Sequence, residues 1–527
     1  MEATLPLIRG SISLQDALLE DDDILQKLSY PEKRLQFWYQ LYQSRPEIED
    51  LVAWHLNLAR TDVRVGDVTQ WLHGGFNASI PVYVEPQYRS ASLPQRVMLR
   101  LPLPYMNGEA HGLASADEKL RCEAATYLWL QQHCPNIPIP KLLAFGLPCL
   151  QSFTGLENVS FWNRLIWQFR RALAWVRGRT LPRYLSHRRR HLSGLGYLLL
   201  EYVEDGEMLS ASWQQHCDDP KRRTNMFRGL AGVMTRLAKL PLPRIGSWTI
   251  DNEGVLSLTN RPLSIHIHMI ENTGIRSGIP RDRTYTSTEQ YMLDLLACQD
   301  NRIRHQPNSI HNTEDGYDQL AALTAMRACL PTFTKNSRDG PFALSLTDLS
   351  RDNIFVDKDW NIAKIIDLEW ACVRPIEMIT PPSWLSGQHL DDVALDPDEY
   401  RQVVQEFFEA SAAEEQARYE TYSFTHTMRD AWETGSFWYT HAVSSPSLLA
   451  AVFPYRIQPL FSQPPGSDGA AFESAVAPFW DRDVPQFIAN NLAEKELYAE
   501  RLRRLFAEAV PPDEGESAHG TGPGNST

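Results

Sequence analysis

Asp348 and Asn353 stand five positions apart in "LSLTDLSRDNIFVD", directly ahead of a short apolar run, and Asp367 closes the next such run, "IAKIID". Carboxylate and carboxamide oxygens are hard donors of the kind Mg²⁺ prefers, which binds one or two protein carboxylates together with substrate phosphates. A neighbouring carboxylate without metal duty could accept a proton from an attacking hydroxyl. The residues between the runs, "DKDWN", read as a turn. A hairpin turning about Trp360 sets Asn353 opposite Asp367 and leaves Asp348 in the loop just before the ladder, so three oxygen-bearing side chains converge at one end. The competing reading is a surface hairpin whose Asp and Asn are turn formers.

The pattern "LTDLSRDN", then a hairpin, then "IIDLEW" resembles the aminoglycoside phosphotransferase and choline kinase-like family, which shares the protein kinase-like fold. The family carries H-x-D-x-x-x-x-N followed by a hairpin with Asp at the strand end. Here Leu346 stands where that loop has His, and Thr347 where small-molecule kinases usually have Gly. The resemblance covers roughly residues 65 to 385, and the long insertions with "DLEWA…RPIEM" look like the large group of fungal members. It implies an α+β, bilobal fold: a small antiparallel β-sheet N-lobe with one main helix and a larger helical C-lobe. It also implies ATP and Mg²⁺ as cofactors, a small-molecule hydroxyl as acceptor, Asp348 as catalytic base, and Asn353 and Asp367 as Mg²⁺ ligands. The loop His of this fold is structural. Leu346 keeps an apolar wedge but loses hydrogen bonds worth about 1 kcal/mol each, so the expected damage is to loop order. The alternative is a pseudokinase scaffold without catalysis, favoured by Leu346, an irregular glycine loop and a long basic insertion.

Phosphoryl transfer also needs a cover over the phosphates, a cation and an adenine pocket. "LHGGFNAS" supplies a candidate cover, with Gly74 and Gly75 permitting close backbone approach and Asn77 and Ser79 offering donors. It is not G-x-G-x-x-G, and a plain hairpin turn competes. Arg100, ending "VMLR", is the candidate cation, with Glu123 on the following helix as partner and Glu118 in reserve. A rim salt bridge of little energetic value is the competing account. "LLLEYVEDGE" reads as the connector between lobes, with backbone groups near Glu201 and Val203 toward adenine, or else as a buried strand. Glu369 hints at a cationic acceptor.

Around these residues the chain divides into a helical N-terminal extension over 1–60, an N-lobe over 61–200, a C-lobe over 201–510 and a tail over 511–527. "EKRLQFWYQLYQ" is the clearest helix of the extension; residues 67–103 are β-rich. "SADEKLRCEAATYLWLQQHC" predicts the main helix, capped at Ser115 or Asp117, with Leu120, Ala124, Tyr127 and Leu128 on one face. Further helix faces run from Phe227 to Leu237, stopping at Pro241, and from Tyr317 to Leu330, stopping at Pro331. The tail lacks large apolar residues and is predicted disordered. The insertion 151–195 contains a basic, aromatic stretch, 162–191, that reads first as a surface helix pair and second as a contact for an anionic membrane surface or an acidic partner. His266 and His268 alternate as strand neighbours would, and two His alone are a poor metal site. Trp370, Trp384, Trp432 and Trp438 read as core aromatics or a pocket for a cation.

With 43% apolar and 22% charged residues over 527 positions, the composition is that of a soluble globular chain. A net charge of −14 argues against general affinity for nucleic acid or anionic membrane. Seven cysteines without C-x-x-C spacing fit a reduced, cytoplasmic compartment. "LEDDD" near the start is wrong for a signal peptide, and no run approaches the ~20 apolar residues that span a bilayer. A monomer is expected.

Overall fold

The computed structural model describes residues 4–85, 94–111, 115–178, 180–188, 192–421, 423–462 and 469–509; the predicted disordered tail, 511–527, lies outside the described residues. Two helices, α1 (Tyr30–Gln43) and α2 (Arg45–Leu56), each start with proline in the first turn, where its missing N–H costs nothing. Phe37, Leu41, Ile48, Leu51 and Val52 on these helices share one core with Val63, Ile80, Val82, Leu99 and Leu101 of the sheet that follows. Residues 30–56 thus pack over the N-lobe sheet, and the chain before them contains a short strand pair, Thr4–Pro6 with Ser11–Ser13.

The N-lobe sheet is antiparallel. Its strands are β1 (Val63–Val65), β2 (Leu72–His73), β3 (Asn77–Val84), β4 (Arg96–Pro102), β5 (Leu142–Gly146), β6 (Gln151–Gly155), β7 (Tyr184–Arg188) and β8 (Tyr197–Glu201). Their order is β1-β3-β4-β8-β5-β6-β7, with β2 pairing β3. Alternating β-branched and aliphatic residues favour the long β3–β4 pair, whose register puts Ser79 opposite Arg100. The main helix, α3 (Ser115–His133), buries Leu120, Ala124, Tyr127 and Leu128 as the pattern predicts, and most of its other faces too. It is wedged between this sheet and the C-lobe, so no face is left to water over most of its length.

The basic insertion departs from the expected helix pair. Its flanks are β6 and β7, which extend the sheet, and among the described residues between them one α-helix, α4 (Phe161–Val176), follows a single 3-10 turn, Leu156–Asn158.

From β8 the chain crosses to the C-lobe through Gly206, whose φ of +89° is left-handed and where a Cβ would fall 2.6 Å from the Val356 carbonyl oxygen. This close approach lets β9 (Glu207–Met208) pair with β11 (Ile354–Val356), so the connector becomes the third strand of the hairpin β11–β12 (Ile362–Ile365). The C-lobe is otherwise mainly helical. Two sequence expectations fail there. His266 and His268 lie on a helix, α5 (Ile265–Asn272), begun by Ser264, which accepts from the Ile267 N–H, and not on a strand. The helix α6 (Thr313–Thr334) runs through Pro331 for another turn, its last hydroxyl, Thr334, donating to the Leu330 carbonyl at 3.1 Å. The four tryptophans build no common pocket: Trp432 and Trp438 pack with Phe437, Trp384 meets Trp213, and Trp370 meets Phe76.

Candidate active site

Strand β10 (Phe342–Leu346) pairs antiparallel with β13 (Ala371–Pro375), setting Leu346 opposite Ala371 and half-burying it against the core. The loop that leaves β10 is tied down from three sides. Thr347 Oγ1 donates to the Trp370 carbonyl at 2.6 Å, Trp384 Nε1 donates to the Leu349 carbonyl at 2.7 Å, and Asn353 Nδ2 donates to the Asp348 carbonyl at 2.8 Å. Asn353 Nδ2 also reaches Asp348 Oδ2 at 3.3 Å. Thr347, standing where small-molecule kinases usually have Gly, is thus one of the loop's anchors.

The hairpin register differs from expectation by one residue. Its turn closes with the Asp357 N–H on the Asn361 carbonyl at 3.0 Å, and the ladder shifts between Phe355 and Val356, so Ile354 faces Ile365 and the Ile366 N–H bonds the Asn353 carbonyl at 2.9 Å. Asp367 therefore lies one position beyond Asn353's partner. Its backbone adopts φ +61°, a left-handed conformation that a non-glycine residue takes at a cost. Its carboxylate Oδ1 then lies 2.5 Å from Arg100 Nη2.

Arg100 is the hub of the site. Its Nη1 donates to Glu123 Oε1 at 2.7 Å, and its Nη2 lies 3.4 Å from Glu369 Oε2. Glu118 does not serve in reserve. It is buried in a separate network, bonded to Arg261 at 2.8–2.9 Å. A second cation, Lys119, went unnoticed in the sequence. It is fully buried, with Nζ 2.6 Å from both Glu369 Oε2 and Asn77 Oδ1. The available signal was its i, i+4 spacing from Glu123 on α3, which puts both on one helix face.

Asn77 departs from its expected role as a phosphate donor. It is buried, and its amide turns inward, Nδ2 donating to Glu369 Oε2 at 2.8 Å while Oδ1 accepts from Lys119. The rest of the candidate cover is a hairpin tip: the Gly74 N–H bonds the Asn77 carbonyl at 2.9 Å, and a Cβ on Gly75 would meet nothing within 4 Å. Phe76 anchors it against Trp370, with ring centroids 5.0 Å apart. Ser79 sits one strand from Arg100. In the connector the Glu201 N–H bonds the Lys141 carbonyl at 2.9 Å, and its carboxylate lies 3.2 Å from Lys364. That N–H therefore belongs to the sheet edge, whereas Val203 lies past the end of β8.

Two cations, Arg100 and Lys119, thus serve four carboxylates, Glu123, Asp348, Asp367 and Glu369. Burial, reinforced by the charges of Asp367 and Glu369, pushes Asp348 up to about 7. Burial likewise raises Glu123 and Asp367, against the pull of Arg100. Burial opposes ionisation of Glu369 too, but Lys119 and then Arg100 hold it below its ordinary value. The excess of negative charge fits a divalent cation by charge and by donor type. Glu123, Asp367 and Glu369 lie within 4.8 Å of one another, but Arg100 already bridges all three. The donors better suited to a metal are the Asp367 carboxylate and the Asn353 amide oxygen, at the end of the hairpin.

Beside Asp348 opens a cavity of about 330 Å³, lined by the segment Leu344–Ser350, by Met378–Trp384 and by Arg374 and His441. Its apolar wall includes Met234, Leu237 and Trp384. Arg374 Nη2 donates to Ser444 at 2.9 Å, while its Nε has no partner among the described residues. Burial, then the Arg374 charge, holds the His441 imidazole down at about 3. Asp348 is thus the one carboxylate of this wall among the described residues, and Glu369, with its partners inside the core, makes no cation cage here.

A loop that presents Asp348 and Asn353 thus meets a hairpin that ends on Asp367, beside the buried pair Arg100–Glu123. Residues 162–378 match the phosphotransferase enzyme family. The matched span begins within α4 and ends just past β13, so it includes the connector, the loop and the hairpin but stops short of Arg100 and Glu123. It agrees with the resemblance read from "LTDLSRDN" and "IIDLEW", over a narrower stretch at the N-terminal side. No curated protein matches the chain. No helix of the described residues is long and apolar enough to cross a membrane, and the seven cysteines are all free.

Proposed function

We propose that the protein transfers the γ-phosphoryl group of ATP to a hydroxyl of a small molecule. The observation that carries this reading is the position of Asp348, which lines the cavity while its loop is bonded through Asn353 to the hairpin that ends at Asp367. In this scheme Asp348 accepts the proton of the acceptor hydroxyl at a carboxylate oxygen as the hydroxyl attacks in line. Asp367 and Asn353 would hold Mg²⁺, which when bound supplies the charge that neutralises the developing phosphate oxygens. Arg100 orients Asp367 and faces the nucleotide phosphates with positive charge. Thr347 and Trp384 keep Asp348 aimed at the acceptor.

The charge of the cavity narrows the acceptor. Arg374, which pairs with no carboxylate among the described residues, and the apolar wall favour a neutral or anionic hydroxyl compound over a polycation. Arg374→Ala should raise KM for the acceptor at least about tenfold with little change in kcat, as expected for loss of uniform binding. An unchanged KM would remove Arg374 from the acceptor site.

A noncatalytic nucleotide-binding scaffold is the second reading, favoured by Leu346 and by the clamp of Arg100 on Asp367. Thermal unfolding with ATP, with and without Mg²⁺, followed by ATP turnover in Asp348→Asn, separates the two. Mg²⁺-dependent stabilisation with turnover that this variant abolishes supports the enzyme, and stabilisation without turnover supports the scaffold.

A further inference from the structure

The helix α4 is attached to the N-lobe along one narrow face. Trp167 and Ala174 are its buried residues, and Trp167 Nε1 donates to the Pro182 carbonyl at 3.1 Å within a small cluster of Leu156, Val159 and Leu185. The opposite face carries Trp162, Leu165, Ile166, Phe169, Leu173 and Val176, spaced three and four residues apart. These are among the most exposed large apolar residues of the chain, with Trp162 at 73% and Phe169 at 74%. A contiguous apolar face of this kind, about 24 Å long by helix geometry, is expensive to leave in water and marks an interaction surface.

The flanks of that face say what covers it. On a helical projection Arg170 and Arg177 border one edge of that face, while Arg164 and Arg171 lie on the far side of the helix, beside Trp167. No acidic residue occurs between Ser160 and Gly178, and no carboxylate pairs with these four arginines among the described residues. Arg164 caps the Val159 and Glu157 carbonyls at 3.1 and 2.9 Å, Arg170 reaches Ser186 Oγ at 3.1 Å, and Arg171 lies over Trp167. Local positive charge is thus concentrated here in a chain whose net charge is −14. A second copy of the chain is a poor occupant, because pairing two such helices, which carry arginines and no acidic residue, brings like charge together. Tryptophan at each end of the helix, Trp162 and Trp175, suits a headgroup boundary, where an amphipathic ring meets both phases.

We infer that α4 is an interfacial helix that seats the protein on an anionic lipid surface, its apolar face in the acyl boundary and the bordering Arg170 and Arg177 on phosphate headgroups. The inference is independent of the phosphotransfer reading. Because the whole molecule is acidic, contact is confined to this helix and has one orientation.

Flotation of the full chain with phosphatidylcholine vesicles, with and without phosphatidylserine, tests it. The wild type should float with the phosphatidylserine vesicles and lose at least about tenfold in binding at high salt, where the arginine contribution is screened. The double variant Trp162→Glu, Phe169→Glu should stay in the soluble fraction while its thermal unfolding is unchanged, since both side chains lie outside the core. Arg170→Gln together with Arg177→Gln should lose the preference for phosphatidylserine. Wild type that fails to float with anionic vesicles overturns the inference, as does a double variant that floats equally well. A lipid-free dimer that the double variant dissociates, without flotation of the wild type, assigns the face to a second copy instead.

Discussion

At the scale of single residues, the loop shows how a missing group is compensated. The position before Thr347 carries no hydrogen-bonding side chain, yet the backbone is fixed by Thr347 on the Trp370 carbonyl and by Trp384 on the Leu349 carbonyl. Each such bond contributes about 1 kcal/mol net, and more is lost when a half-buried partner is left unpaired. Thr347→Val keeps the shape and removes the donor. It should lower stability by about 1–2 kcal/mol and reduce turnover by loosening Asp348, read from urea unfolding together with ATP consumption. Full stability and turnover in that variant would mean that the loop is ordered by something other than Thr347. His268 gives a second, independent prediction. Burial and then the nearby Lys119 charge hold its pKa down at about 3, and Nε2 bonds the Met106 carbonyl at 2.7 Å. A histidine depressed in the folded state stabilises above its unfolded value near 6.5 and loses that stability as pH falls toward 3. Between pH 6.5 and 5 the folded chain should lose about 2 kcal/mol from this residue. His268→Phe should flatten the pH slope of urea stability over that window.

At the scale of elements, α3 is the part on which the site depends. One helix turn carries Lys119 and Glu123, and a neighbouring strand carries Arg100, so the carboxylates at the hairpin end are held between two lobes. Removing one member of a buried pair leaves an uncompensated charge, which costs about 3–5 kcal/mol, whereas removing both can be nearly neutral. Lys119→Met should therefore be strongly destabilising in chemical denaturation, and Lys119→Met with Glu369→Leu should recover more than half of the loss. Additive losses in the double variant would contradict the pairing. This scale also shows what the sequence made legible. The buried face of α3 and the loop–hairpin pattern follow from periodicity and spacing, which are local. The hairpin register was missed because a one-residue shift in the ladder leaves no mark in the sequence, and it moved Asp367 one place beyond Asn353's partner. Asn77 was misjudged for a different reason. A polar residue beside glycines looks like a loop donor until the fold brings Lys119 and Glu369 to it from positions 42 and 292 residues away. The expected strand at His266–His268 is a helix because the two-residue alternation coexists with a Ser264 cap, and the cap prevails.

At the scale of the whole molecule, the segment 1–60 is integral. The Ile24 N–H donates to the Tyr498 hydroxyl at 2.7 Å, and Ile12, Ala17 and Ile24 share a cluster with Tyr498, Leu502 and Phe506 of the last long helix, Val484–Glu508. Residues 12–24 and the helix Val484–Glu508 thus clasp each other while α1 and α2 cover the sheet. Deleting residues 1–60 should expose this cluster and the sheet face together and yield insoluble protein, whereas a chain folding normally without them would show that the extension is dispensable. The central claim, however, rests on one carboxylate. Its most direct test is Mg²⁺-dependent consumption of ATP, with a pooled set of hydroxyl-bearing metabolites as acceptors, by the wild type and by Asp348→Asn. The account predicts that the wild type turns over, and that the variant still gains thermal stability from ATP with Mg²⁺ but loses about 10²- to 10⁴-fold in rate. Equal rates in the two proteins, or no turnover by the wild type, would contradict it.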